Sequence, residues 1–175
     1  MLRRLRQWGR ATAKAALAIS AGALLLLMGM EGFSALPYKD IAGIWTNGFG
    51  NTHGVGPDTP PVTRAEAQVT LQAHADSFGA RVLSALTRPP SQGQFDAYLL
   101  LAYNIGPSAF RTSSTVRAHN AGDFYGACLY MLRWDKATVD GVLRRVKGLN
   151  TRRWAEYNVC LSGVPDVGYR PRRTQ

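Results

Sequence analysis

Glu31, Asp40 and Thr46 stand in the pattern E-x8-D-x5-T, inside the stretch of the chain densest in glycine and aromatic residues. Only 11 Asp and Glu occur in 175 residues, so the acids can be weighed one by one. Glu66 closes a capping box opened by Thr63, and Asp123 precedes a helix as its cap. Asp58, Asp135, Asp140 and Asp166 fall in polar turns or at helix ends, while Asp76, Asp96 and Glu156 suit exposed helix faces. Glu31 and Asp40 are left. Glu31 follows directly on an apolar run, so its carboxyl is expected to be partly desolvated, the condition under which a carboxyl serves as a general acid. Asp40 sits in a turn after Tyr38-Lys39, where solvent and amides keep it ionised, and the Thr46 hydroxyl, at a strand position beyond it, can orient a water. One acid held neutral and one held charged, on opposite sides of a linkage, is the equipment for hydrolysing a glycosidic bond.

Such a pair needs elements to hold it. The run GFSALPYKDIAGIWTNGFGNTHGVGP predicts a small twisted β-meander. Thr63-Arg64-Ala65-Glu66 opens a helix running to about Leu86, with Val69, Phe78, Val82 and Leu86 near one face, a rod between two lobes. After the break at Arg88-Pro89-Pro90-Ser91, QFDAYLLLAYNIG is apolar almost all round, as a helix at the centre of a lobe is, and Gly106-Pro107 stops it. A turn leads to a helix near Ser114 to Asn120, and Gly122-Asp123 caps another that runs through Ala127 to Trp134; Lys136 to Arg145 is undecided; a last helix begins near Asn150 or Thr151 and ends at Gly163. The expected class is α+β, mainly α, with a small β lobe and a larger helical lobe flanking a cleft.

Lys and Arg number 21, giving a formal charge of +10, so the chain is drawn to polyanions. Arg3, Arg4, Arg6, Arg10 and Lys14 gather at one end and Arg170, Arg172 and Arg173 at the other, which fits a topology signal and a solvated tail rather than a nucleic-acid groove. Residues 15–30, AALAISAGALLLLMGM, carry no charge and approach spanning length. The positive-inside rule leaves the N-terminus cytoplasmic and exports the chain beyond Met30. Cleavage at Ala21-Gly22-Ala23 leaves four leucines exposed, and cleavage at Ser34-Ala35 removes Glu31, so the segment is expected to stay. Its Ala, Ser and Gly content makes it a weak, reversible anchor. The division is then 1–30 for the basic N-terminus and membrane segment, 31–163 for the catalytic domain and 164–175 for a basic tail. Cys128 and Cys160 are too few for a disulfide framework and form either one bridge in an exported chain or two buried thiols. His74 and His119 read as helix-surface histidines, and Trp45, Trp134 and Trp154 as core residues rather than sugar platforms.

The E-x8-D-x5-T spacing, the blocks EGF and PYKDIAGIWTNGFGNT, and then AYNIGPSAFRTSS, AGDFYGAC, LRWDK and RRWAEYNVC in order resemble T4-lysozyme-like phage endolysins from about Leu24 to Gly163. The resemblance implies a muramidase that hydrolyses the β-1,4 bond between N-acetylmuramic acid and N-acetylglucosamine in bacterial peptidoglycan and lyses the host cell. It implies Glu31 as general acid, Asp40 as the carboxylate that activates or replaces the attacking water, and Thr46 as its partner. Tyr103, Asn104 and Ser113 align with sugar-contacting positions, and Cys128 with Cys160 matches a disulfide of exported members. Asn47 departs from a usually apolar position and Asn51 from a common His; His53 reads as a loop histidine rather than its substitute. The membrane segment resembles the signal-arrest-release type, held in the inner membrane and then released to the periplasm after holin action, with Leu24 to Met30 doubling as the first helix of the enzyme. Glycan strands are the expected partner of a monomer; no cofactor, metal or nucleic acid is expected. Alternatives are a lytic transglycosylase, against which Asp40 and Thr46 argue, and a non-catalytic membrane-tethered cell-wall binder.

Overall fold

The apolar run before Glu31 is divided by Ser20. In the computed structural model, which describes residues 17–40 and 43–164, the Ser20 hydroxyl accepts from the Ala23 amide at 3.2 Å and its own amide donates to Asp96 at 3.0 Å. That cap starts α1 (Ala21–Glu31), an 11-residue helix with Ala23, Leu24 and Leu27 buried. Residues 17–30 are therefore not one continuous helix, and no helix among the described residues is long and apolar enough to cross a membrane. The N-terminal basic cluster and the expected tail from 165 onward, with Asp166, lie outside the described residues.

Gly32, at φ 72°, turns the chain into β1 (Ser34–Lys39), which pairs antiparallel with β2 (Trp45–Gly48), Tyr38 opposite Thr46 and Lys39 opposite Trp45. The expected meander is thus a two-stranded hairpin extended by one bridge, Asn47 to Asn51. A capping box between Thr63 and Glu66, as read from the sequence, starts α2 (Arg64–Ala85). Its buried stripe is Ala67, Leu71, Ala75, Gly79 and Val82, and Val69 points the other way at 71% exposure. Of the expected face, Val82 is buried and Phe78 and Leu86 pack partly buried against the core, so only Val69 was misplaced, in a stripe carried mostly by small residues. At Gly79 a Cβ would stand 2.9 Å from the Phe95 ring, so the two helices meet almost backbone to side chain.

Ser91 and Gln94 form a second capping box that opens α3 (Gln92–Ile105), in which every residue from Gln94 to Ala102 is buried. The expected short turn contains α4 (Pro107–Arg111); α5 (Ser114–Ala121) and α6 (Phe124–Met131) follow, the last capped by Asp123. The undecided stretch is a hairpin, β3 (Lys136–Val139) with β4 (Val142–Arg145), closed by Asp140-Gly141, both at positive φ. Asp135, placed by sequence in a polar turn, is 2% exposed: it pairs with Arg145 and accepts from Asn150, tying the hairpin down. α7 (Lys147–Ser162) starts about a turn earlier than expected. It packs along α3, and a Cys128–Cys160 disulfide, Cα to Cα 5.7 Å, joins it to α6.

The α3–α7 contact is tightest at Gly93, where a Cβ would meet the Val159 carbonyl at 2.7 Å and the Gly163 amide at 2.9 Å. Gly93→Ala is expected to cost about 2 kcal/mol in urea unfolding, whereas Gly29→Ala, into open space, costs nothing or stabilises slightly.

Candidate active site

Glu31 is the last residue of α1, and its carboxyl meets three other elements. Arg152 of α7 donates Nη1 to Glu31 Oε1 at 3.0 Å; the Glu31 side chain is 22% exposed and the Arg152 side chain 11%. Gly50, past the end of β2, comes so near that a Cβ there would stand 3.9 Å from Glu31 Oε2, and its φ of 82° suits glycine. Tyr103 of α3 is also close: burial first, then the Glu31 charge, pushes its phenol up to about 12, so it stays a neutral hydrogen-bonding group. The sequence implied a partly desolvated carboxyl for Glu31; the structure leaves its side chain 22% exposed and adds a guanidinium partner that the sequence did not announce.

Asp40 and Thr46 are brought together by the backbone of Ile44. Asp40 Oδ1 accepts from the Ile44 amide at 2.9 Å, and the Asp40 amide donates to the Ile44 carbonyl at 3.0 Å. The Thr46 hydroxyl, 3% exposed as a residue, donates to that same carbonyl at 3.0 Å, so toward water it is left as an acceptor. Asn47 sits buried at the bridge with Asn51, whose amide donates to Asn47 Oδ1 at 3.4 Å and to the His53 carbonyl at 3.3 Å. The two unusual asparagines thus satisfy each other. His53 is an exposed loop residue.

Of the three expected sugar contacts, Tyr103 and Asn104 lie on the Glu31 side of the molecule. Asn104 lines an open groove of about 620 Å³ with Leu25, Met30, Leu149 and Arg152. Ser113 does not join them: it caps α5, accepts from the Val116 amide at 3.2 Å, is 5% exposed, and borders a separate recess with Arg117 and Trp134. A Ser ahead of a helix does this more readily than it contacts a ligand. His119 is wholly buried rather than on a surface, Nδ1 3.1 Å from the Tyr98 hydroxyl and Nε2 3.1 Å from the Arg88 carbonyl; burial pulls it below the ordinary histidine range. His74 is half-buried on α2. Trp134 packs half-buried against the core as expected, whereas Trp45 is only half-buried outside it and Trp154 is 48% exposed.

Two acids were misplaced by their helical setting. Asp96 is 4% exposed and holds Ser20 and Gln92. Glu156 is fully buried: its Oε1 accepts from Arg153 Nη2 at 2.7 Å and Arg152 Nε at 3.1 Å. Burial pushes the Glu156 carboxyl up to about 7 against the lowering pull of Arg153 and Arg152. These three side chains were missed because RRWAE reads as a solvated i,i+3 and i,i+4 ion-pair ladder. The signal that could have found them is phase: Arg153, Glu156 and Cys160 fall on one helical stripe with Tyr157.

The fold defines a mainly helical, lysozyme-like α+β class with small two-stranded sheets. The phage lysozyme family profile matches residues 28–156. The SAR-endolysin of Enterobacteria phage P21 is 36% identical over 138 residues, covering 77% of this chain and 79% of that protein. Among solved structures, an endolysin from Escherichia coli O157:H7 phage FAHEc1 superposes with a TM-score of 0.75 at 34% identity, covering 83% and 94% of the two chains. A P22 lysozyme mutant gives 0.73 at 29% identity, covering 82% and 98%. The chain belongs to the phage lysozyme family. Its activity is that of a lysozyme-type glycoside hydrolase, an endolysin that breaks down peptidoglycan and causes lysis.

Arg152 holds Glu31 to α7 while also facing Glu156. Arg152→Met, which leaves both carboxylates without that partner, is expected to lose about 3 kcal/mol of unfolding free energy in urea; an unchanged midpoint contradicts the assigned pairing.

Proposed function

We propose that Glu31 is the general acid that protonates the leaving oxygen, that Asp40 is the carboxylate acting on the opposite side, either on the attacking water or in its place, and that Thr46 helps hold that water. The bond cut is the β-1,4 linkage from N-acetylmuramic acid to N-acetylglucosamine. The reading is carried by one arrangement: the Glu31 carboxyl emerges where α1, α3, α7 and the turn after β2 converge, partly open to solvent. Asp40 and Thr46, anchored through Ile44, lie in the hairpin just beyond it. Tyr103, kept neutral, and Asn104 border the same side and are proposed to contact sugar. One chain supplies all of these groups, so the enzyme acts as a monomer. The transglycosylase alternative needs only the acid and leaves the Asp40–Ile44–Thr46 arrangement without work.

Residues 31–163 form the catalytic unit in this reading, and residues 1–30 deliver it. Relatives of this chain from phages P21 and PA-2 are named SAR-endolysins, which supports an anchor in the inner membrane, release after holin action and a periplasmic site of action. Leu24 and Leu27 are buried in the folded enzyme, so the same residues cannot also lie in lipid. The anchored form is inactive for that reason.

Glu31→Gln is expected to lower clearing of purified sacculi by at least about 100-fold while the protein remains folded; normal clearing removes Glu31 from the mechanism. Replacing Ala18, Ser20 and Ala21 by Leu strengthens the apolar run and deletes the α1 cap. That triple variant is expected to remain in the membrane fraction and delay lysis, and its recovery as soluble periplasmic protein contradicts the reversible anchor.

A further inference from the structure

The proposed chemistry leaves one buried carboxylate without a role. Glu156, fully inaccessible on α7, receives both neighbouring guanidiniums on one oxygen, from Arg153 at 2.7 Å and Arg152 at 3.1 Å. Arg152 has all three nitrogens engaged: Nε on Glu156, Nη1 on Glu31 at 3.0 Å, and Nη2 on the Leu100 carbonyl at 3.4 Å. Arg153, also fully inaccessible, extends Nη2 to Asn104 Oδ1 at 3.0 Å. An unbroken line of contacts therefore runs from Glu31 through Arg152, Glu156 and Arg153 to Asn104. Stability alone does not call for it, because apolar residues of like volume often replace buried ion clusters with no loss. Nor is its hydrogen bonding complete, since Glu156 Oε2 and Arg153 Nε and Nη1 have no hydrogen-bond partner.

We propose that Glu156 is a positioning residue for the hydrolysis: it fixes the Arg152 guanidinium in the orientation that grips Glu31, and its charge offsets the two buried cations beside the proton donor. This rests on Glu31 being the acid. The groups that face Glu31 are Arg152 from α7 and Tyr103 from α3. Those that face Glu156 are Arg152 and Arg153 from its own helix, with Glu31 of α1 and Asn104 of α3 beyond them. With Glu156 ionised, two guanidiniums serve two carboxylates, and Glu31 can take up a proton while Arg152 keeps a counter-ion. With Glu156 neutralised, both cations act on Glu31 alone, and that field opposes protonation of the donor. Burial raises the Glu156 carboxyl, and the Arg153 and Arg152 guanidiniums against it pull the other way and favour its charge.

The test is kcat and apparent KM on purified sacculi across pH, for the full chain and for Glu156→Gln, Glu156→Asp, Arg153→Met and Arg153→Met with Glu156→Gln. In Glu156→Gln, kcat is expected to fall about tenfold with KM within about twofold, and the alkaline limb to move about one unit to lower pH. Glu156→Asp keeps the charge and shortens the reach, so kcat falls but the limb stays. Arg153→Met moves the limb to higher pH, and the double variant brings it back toward the parent position whatever its thermal midpoint. If Glu156→Gln does not fold, the upward shift in Arg153→Met still decides. Limbs that stay put in both single neutralising variants, with activity following only the folded fraction, overturn the proposal. Glu31→Gln, assayed alongside, separates the two claims: full activity there sinks the reading of Glu31 and this inference with it, whereas an inactive Glu31→Gln with immobile limbs sinks the positioning role alone.

Discussion

Two adjacent arginines on α7 are drawn inside the protein, and the need to neutralise them organises the side chains around them. Arg153 is fully inaccessible and Arg152 nearly so, in a fold where an uncompensated buried cation costs several kcal/mol. Glu156 answers from the same helix and Glu31 from the far end of the first one. The second answer is what docks α1: its C-terminus is held by the ion pair, its middle by Ala23, Leu24 and Leu27, and its N-terminus by Ser20 on Asp96. Remove the cation and the acid at residue 31 has no fixed place. The disulfide to Cys128 and the close approach at Gly93 fix α7 itself, the helix that carries both arginines.

The apolar segment is under a tension of its own. Leu24 to Leu27 have the composition of lipid-facing residues, yet in the folded enzyme only part of them is buried, and Leu25 remains 65% exposed beside an apolar groove. Such a helix is hydrophobic beyond what its docking requires. A segment proposed to satisfy lipid first and the enzyme core afterwards has this character, and the weak Ala, Ser and Gly stretch ahead of it fits the proposed release.

The sequence carried the Thr63–Glu66 capping box, the buried α3 and the order of the main helices, because each rests on local signals such as Thr63 with Glu66 or the apolar run from Phe95 to Ala102. It carried the presence of a small β element after Glu31 too. Long-range pairing was harder to see. Nothing local to Glu31 announces Arg152, 121 residues away, and the ladder RRWAE is as good a surface motif as a buried one. Asp135 and Asp96 were assigned to solvent for the same reason, since their partners Arg145, Ser20 and Gln92 become neighbours only through the fold. The β3–β4 hairpin was legible and overlooked: Asp140-Gly141 between two β-rich triplets is a turn signal that the surrounding charge obscured. Ser113 shows the opposite error, a helix cap read as a ligand contact.

The central claim is that a proton donated at residue 31 lets water take the place of the leaving sugar. Digestion of sacculi by the full chain in heavy-oxygen water, with the muropeptides weighed by mass spectrometry, addresses it directly. The expected products carry one solvent oxygen at each newly formed muramic acid end. Unlabelled anhydromuramic ends, or no soluble muropeptides at all, contradict it.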